Sequence, residues 1–383
     1  MTTAQTHEHA APAMDTVRKA LSKVLDPEIQ RPITDLGMVK EITVGADGTV
    51  LVGIYLTVSG CPLREKITAD ATAAVSALPG VHEVRIELDV MSDEQRTELR
   101  RSLRGDTDEP VIPFARPGSL TRVYCVASGK GGVGKSSVTV NLAAAMASRG
   151  LSVGVLDADI YGHSVPRMLG VMAGPTRVEK MIMPPRANGV KVISVGMFTS
   201  GNAPVMWRGP LLHRALQQFL GEVYWGDLDV LLLDLPPGTG DIPISLAQLL
   251  PESEILVVTT PQAAAAEVAE RAGAVSLQTG QRVAGVVENM SWLRLPDGST
   301  TRLFGSGGGQ TVADSLSLAL GTEIPLLGQV PMDPLLGEAG DAGTPLVLSA
   351  PEAPAAVVLR AIAEGLTVRR RGLAGCRLPV SPS

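Results

Sequence analysis

A chain of 383 residues that is 45% hydrophobic and 19% charged has apolar material for two packed domains, and excludes a disordered polypeptide. Its 33 basic and 39 acidic side chains leave a formal charge of −6, and aromatics make up only 3%. That balance argues against a dedicated nucleic-acid binder, and the three scattered cysteines, Cys61, Cys125 and Cys376, exclude a disulfide framework.

The first residues, "MTTAQTHEHAAPAMD", lack a basic start and an apolar core, so no signal peptide is expected. No apolar run reaches the roughly 18–20 residues that cross a bilayer, so a cytoplasmic protein without a membrane partner is expected. Residues 1–14 read as a disordered tail. From Asp15, "DTVRKALSKVL" places Val17, Leu21, Val24 and Leu25 on one helical face. "MVKEITV" and "TVLVGIYLTVS", separated by "GADG", predict a pair of strands. "LREKITADATAAVSAL" has helical spacing, and "VHEVRIELDV" predicts another strand. The α–β–β–α–β order over residues 15–104 predicts a small α+β domain.

A polar helical piece, "SDEQRTELRRSLRG", ends that unit, and 105–117, rich in proline and without period, reads as a linker. The rhythm then changes. "RVYCVAS", "LSVGVLDAD", "VKVISVG", "LDVLLLDLPP", "EILVVTTP" and "QRVAGVVENMS" are apolar throughout and alternate with helical patterns. Strands without polar alternation predict a mostly parallel, doubly wound α/β sheet, here over residues 118–366, with 367–383 as a flexible basic tail.

"GKGGVGKS" fits the phosphate-loop pattern, with a strand before it and a helix after it. Gly129, Lys130, Gly131, Gly132, Val133 and Gly134 supply backbone N–H groups that can form an anion nest at a helix N-terminus. Lys135 is expected on the β and γ phosphates of ATP, Ser136 on Mg²⁺, and Ser137 on the α-phosphate. Asp234, closing "LDVLLLD", is a Walker B carboxylate for Mg²⁺, and "PPGTGD" after it has the composition of a γ-phosphate switch. "VLDADIYGHS" offers Asp157 and Asp159, which share a side if the strand continues; one could organise the metal and the other the attacking water.

The phosphate loop with Lys130 as its second lysine, Asp157, Asp159 and Asp234 together resemble the deviant Walker A ATPases, relatives of MinD and ParA. The resemblance implies a homodimer with two nucleotides between the subunits. Lys135 then acts in cis, while Lys130 acts in trans on the transition state, as an arginine finger does.

"LDADIYGHSVPRMLG", "PVMWRGP", "DLPPGTGD", "TTPQ" and "VVENMS" further resemble the Mrp/ApbC-type iron–sulfur carrier ATPases, over residues 118 to 365. "LDPEIQRPITDLGMV" and "LTVSGCPL" resemble the MIP18-type domain often fused to them. This implies slow, Mg²⁺-dependent ATP hydrolysis and the transfer of iron–sulfur clusters to apoproteins, or help in their assembly. The alternative is a cluster-free, nucleotide-switched adaptor or scaffold of MinD/ParA kind. The wider group holds adenine with an asparagine and a proline loop, which correspond to Asn289 and to Pro331 and Asp333. Cys61 matches the small domain's reactive or metal-handling cysteine. Many carriers place a C-x-x-C pair after "NMS"; here "NMSWLRLPDGSTTRLFG" has none, and "LPDGST" predicts a plain hairpin turn.

Overall fold

The computed structural model describes residues 11–57, 64–104, 111–116, 118–159, 162, 164–178, 181–198, 210–238, 241–262 and 265–368. The N-terminal unit comprises α1 (Met14–Leu21), β1 (Val39–Val44), β2 (Thr49–Leu56), α2 (Arg64–Ser76), β3 (Glu83–Val90) and α3 (Asp93–Arg104). Its sheet runs β1-β2-β3, antiparallel then parallel. Val17, Leu21 and Val24 are buried as the periodicity predicts, but α1 stops at Leu21 and Leu25 turns out to solvent.

The larger unit contains β4 (Arg122–Ala127), α4 (Lys135–Ser148), β5 (Val153–Asp157), α5 (Val165–Met168), β6 (Thr176–Val178) and β7 (Met181–Met183). It continues through β8 (Arg186–Ala187), β9 (Val190–Ser194), α6 (Pro210–Gly221), β10 (Val230–Asp234), α7 (Asp241–Leu249) and β11 (Glu254–Thr259). Then follow α8 (Ala265–Thr279), β12 (Arg282–Glu288), β13 (Leu293–Arg294), β14 (Thr300–Thr301), α9 (Gly308–Leu320) and β15 (Leu326–Gln329). It closes with α10 (Pro334–Asp341), α11 (Leu346–Ser349) and α12 (Pro354–Val368).

Eight strands form one sheet in the order β15-β12-β11-β4-β10-β5-β9-β8, parallel except at β8. Alternate side chains of each strand go to opposite faces. On β4, Tyr124 and Val126 pack with α4, α11 and α12, while Val123 and Cys125 pack with α6 and α7. Ile255 and Val257 of β11 pack with α8 and α9. Covering both faces is what permits six strands with almost no polar alternation. β15 is a short, partly exposed strand that the sequence reading did not isolate.

Phe114, inside the stretch read as linker, is buried edge-on against Trp225, with ring centroids 6.4 Å apart, and so anchors that segment to the larger core. The β13–β14 pair encloses "LPDGST", the expected hairpin turn, with Gly298 at φ 85°. Residues 1–10 and 369–383 lie outside the described residues, and α12 extends to Val368.

The two units share a core. Val178, Met181 and Met183, all buried, belong to the packed cluster built from Val17, Leu21, Ile33, Val52 and Ile54. Nearby, Thr176 donates to the Glu28 carboxylate, with oxygens 3.1 and 3.2 Å away. Burial, and then the neighbouring Asp26, push the Glu28 carboxyl up to about 7. A carboxyl whose folded-state pKa lies above its ordinary 4.5 favours the fold while protonated, and that contribution is lost as pH rises between these values. Glu28→Gln is therefore expected to raise the thermal midpoint above pH 7 and to leave it unchanged at pH 4; equal shifts at both values would sink this assignment.

Candidate functional site

The site lies at the C-terminal ends of β4, β10, β5 and β9. The parallel ladders place Val126, Asp234, Asp157 and Ser194 in one transverse row. Two carboxylates are thus fixed side by side, and both Asp157 and Asp234 are fully buried. Such a pair needs cations and donors close by.

α4 supplies them. Lys135 and Ser136 open the helix and Thr139 follows one turn later, so all three share a face. The Lys135 ammonium lies 2.7 Å from Asp234 Oδ2, and Ser136 Oγ donates to the same oxygen at 2.6 Å. Thr139 Oγ1 donates to Asp234 Oδ1 at 2.7 Å. Ser194 Oγ donates to Asp157 Oδ2 at 3.1 Å. Burial and the charge of Asp234 raise the Asp157 carboxyl to about 7. Among the described residues, Lys135 is the cation that pairs with Asp234. Ser136, Asp157 and Asp234 are all-oxygen donors of the hard type that suits Mg²⁺.

Thr139 and Ser194 escaped the sequence reading. Helical spacing from Lys135 could have found Thr139, whereas Ser194 becomes visible only once β5 and β9 are known to pair. Asp157 and Asp159 share a side only if the strand continues, and it does not. β5 ends at Asp157, so strand alternation does not carry Asp159. Its backbone N–H instead donates to Asp157 Oδ1, and its own Oδ1 accepts from the Gly162 N–H at 3.1 Å.

The loop from Gly129 to Gly134 joins β4 to α4, with Gly132 and Gly134 at φ 77° and 79°. Asn289 comes to it from the end of β12, donating from Nδ2 to the Val133 carbonyl at 2.9 Å. A Cβ on Gly134 would lie 2.3 Å from that Nδ2, so both backbone angle and space demand glycine there. Asn289 is 2% exposed, and its Oδ1 meets no donor among the described residues. The segment after it is strapped to the proline loop: Ser291 N–H donates to the Val330 carbonyl, and Met332 N–H to the Trp292 carbonyl. Pro331 is thereby held beside Asn289 and is buried, whereas Asp333 caps α10 by accepting from Leu335 N–H at 3.1 Å.

Lys130 donates to Gln262 Oε1 of its own chain, and Arg271 donates to the Gly129 carbonyl at 2.9 Å. Gly238, at the start of the glycine-rich part of "PPGTGD", donates its N–H to the Ser128 carbonyl at 2.9 Å; Thr239 and Gly240 lie outside the described residues. Ser137 sits in the first turn of α4. Cys125 is buried on β4, its thiol against Ser253 Oγ, and burial pushes it up to about 11. Cys61 and Cys376 lie outside the described residues, as does His163, and among the described residues no cluster of metal-ligating side chains occurs.

A glycine loop from a central parallel strand into a helix N-terminus, backed by a buried lysine and strand-end carboxylates, defines a P-loop NTPase. The chain matches the family model for the NUBPL iron-transfer P-loop NTPases over residues 119–367, and it belongs to that family. Residues 14–88 match the model of an iron–sulfur cluster assembly protein. The iron–sulfur cluster carrier protein of Mycobacterium tuberculosis (strain H37Rv) is 68% identical over 367 residues, covering 96% of each chain. That of Bacillus subtilis (strain 168) is 38% identical over 325 residues, covering 83% of this chain and 88% of that one. A nucleotide-binding protein from Archaeoglobus fulgidus, solved with ADP, is 34% identical, with a TM-score of 0.50, over 66% of this chain and 91% of that one. No described helix is long and apolar enough to cross a membrane.

Gly134→Ala imposes a left-handed alanine at about 1–2 kcal/mol and a collision with Asn289. Adenine-nucleotide affinity is expected to fall by about tenfold or more, while the far-ultraviolet circular dichroism spectrum stays that of the parent. Retained affinity in a titration calorimetry experiment would show that the loop tolerates a Cβ.

Proposed function

We propose that this protein is a homodimeric, slowly hydrolysing, Mg²⁺-dependent ATPase that carries iron–sulfur clusters to apoproteins or assists their assembly there. The observation that carries the reading is the convergence of Lys135, Ser136 and Thr139 on Asp234, with Asp157 beside it in register. The Gly129–Gly134 amides and the start of α4 take the phosphates, and Lys135 turns from Asp234 towards them. Mg²⁺, held by Ser136, Asp234 and Asp157, would neutralise charge on the phosphate oxygens. The unpartnered Asn289 Oδ1 suits the 6-amino group of adenine, with buried Pro331 as an apolar wall. Guanine would present a carbonyl there instead, so the arrangement favours ATP over GTP. Asp333 then contributes indirectly, through the α10 cap.

Asp159, two residues beyond the end of β5, orients the attacking water. Lys130 leaves Gln262 to reach the partner subunit's nucleotide, where its charge stabilises the transition state. Lys135→Ala is expected to abolish nucleotide binding. Lys130→Ala should retain binding but lower kcat by about a thousandfold or more, the scale of an arginine finger. Asp159→Ala should lower kcat with KM unchanged. Loss of binding in Lys130→Ala equal to that in Lys135→Ala would remove the division of labour.

The cluster is cargo, and thiolates are its preferred ligands. The chain has three cysteines, and the burial and raised pKa of Cys125 disqualify it. We assign the principal ligand role to Cys61, three residues ahead of α2 in the sequence. A second reading, the cluster-free adaptor of MinD/ParA kind, is favoured by one observation: the β13–β14 segment carries no cysteine. Anaerobic reconstitution with iron and sulfide, read by visible absorption and iron per dimer, separates them. Stoichiometric iron lost in Cys61→Ala but kept in Cys125→Ala supports the carrier; no cluster in the parent, with ATP hydrolysis intact, supports the adaptor.

A further inference from the structure

The β6–β7 ribbon faces two ways. Strand geometry sends alternate residues to opposite sides, and β7 exploits this over three residues. Met181 and Met183 enter the core of the N-terminal unit, while Ile182 between them enters the core under α6 and α7. The ribbon is bonded rigidly to the larger unit: Ile182 N–H donates to the Glu222 carbonyl at 2.9 Å, and Tyr224 N–H to the Ile182 carbonyl at 2.8 Å. On the other side Thr176 donates to Glu28, which lies in the "LDPEIQRPITDLGMV" stretch.

The ribbon's place in the chain matters equally. It belongs to the excursion that leaves the sheet after Asp157 and returns along β9 to Ser194. Ser194 Oγ donates to Asp157 Oδ2, so both ends of the excursion meet at one buried carboxylate of the nucleotide site. α5, near its start, seats Val165 and Leu169 in the core beneath α4. A change in how Asp157 is bonded therefore acts at both ends of the segment that closes the small unit's core.

We propose that the Thr176–Met183 ribbon couples the two units, so that nucleotide occupancy at Asp157 changes the packing of the N-terminal unit, and the state of that unit changes nucleotide affinity in return. Reciprocity is obligatory for any such linkage of binding free energies. The proposal rests on the nucleotide-binding reading above and names the regulation of that site. It gives the small unit a nucleotide-controlled state in which its cargo is held or released.

The test is hydrogen–deuterium exchange on the full-length protein, apo and with Mg-ADP or a non-hydrolysable ATP analogue, with binding measured in parallel by calorimetry. Exchange rates in peptides covering residues 26–36 and 49–56 are expected to change about fivefold or more on binding, a typical coupling magnitude. In Met181→Ala/Met183→Ala the nucleotide should still bind, but the response in those peptides should vanish. Should the double variant not fold, Thr176→Val, which removes only the bonds to Glu28, is expected to diminish the response. Nucleotide bound with no response in the parent overturns the coupling. An undiminished response in a folded variant overturns the ribbon as its route. Failure of the parent to bind nucleotide would overturn the ATPase reading instead.

Discussion

Two aspartates set next to each other in a parallel sheet repel, and neither Asp157 nor Asp234 has access to water. The ladder leaves them no freedom to separate, because Asp234 and Asp157 are register partners on neighbouring strands. Around this imposed proximity the rest of the site is arranged. Lys135, Ser136 and Thr139 satisfy one carboxylate from the first turns of α4, and Ser194 with the Asp159 N–H satisfies the other from the far side. The result is a preorganised, oxygen-lined pocket whose donors are of the hard type that suits a divalent cation. Burial first, and then the charge of Asp234, raise the Asp157 carboxyl to about 7.

The larger unit was legible because burial on both faces removes polar residues from its strands; the six apolar runs all became parallel strands. The phosphate loop was legible because its chemistry is contiguous. What is assembled from distant pieces was not. Ser194 needs the β5–β9 pairing, the ribbon of Thr176–Met183 is too short for any periodicity, and Phe114 sits in a stretch whose prolines hide its anchoring role. A shared side for Asp157 and Asp159 was conditional on the strand continuing, and β5 stops two residues short of Asp159. Asn289 is proposed for adenine on resemblance alone; the structure adds only that its amide lies against Gly134 of the loop.

The thiols show how location decides chemistry. Cys125 is a small apolar filler between sheet and helices, hydrogen-bonded to Ser253, which Gln281 also reaches at 2.6 Å. Its raised pKa keeps it a thiol at neutral pH, although it sits only four residues before the phosphate loop. Redox or metal chemistry is thereby kept away from the strand that positions the nucleotide.

The shared core also bears on how the polypeptide is made. Chains emerge from the ribosome N-terminus first, and domains generally fold as units as they appear. Here the first unit's own last helix ends at Arg104, but its apolar cluster takes in residues made later. Its hydrophobic cluster remains open until Val178, Met181 and Met183 have been synthesised. β4, in turn, lacks its neighbour β11 until Thr259. The nascent chain thus carries an unfinished apolar surface through a long stretch of translation. Transiently exposed apolar surface of this kind is what makes folding intermediates prone to aggregate.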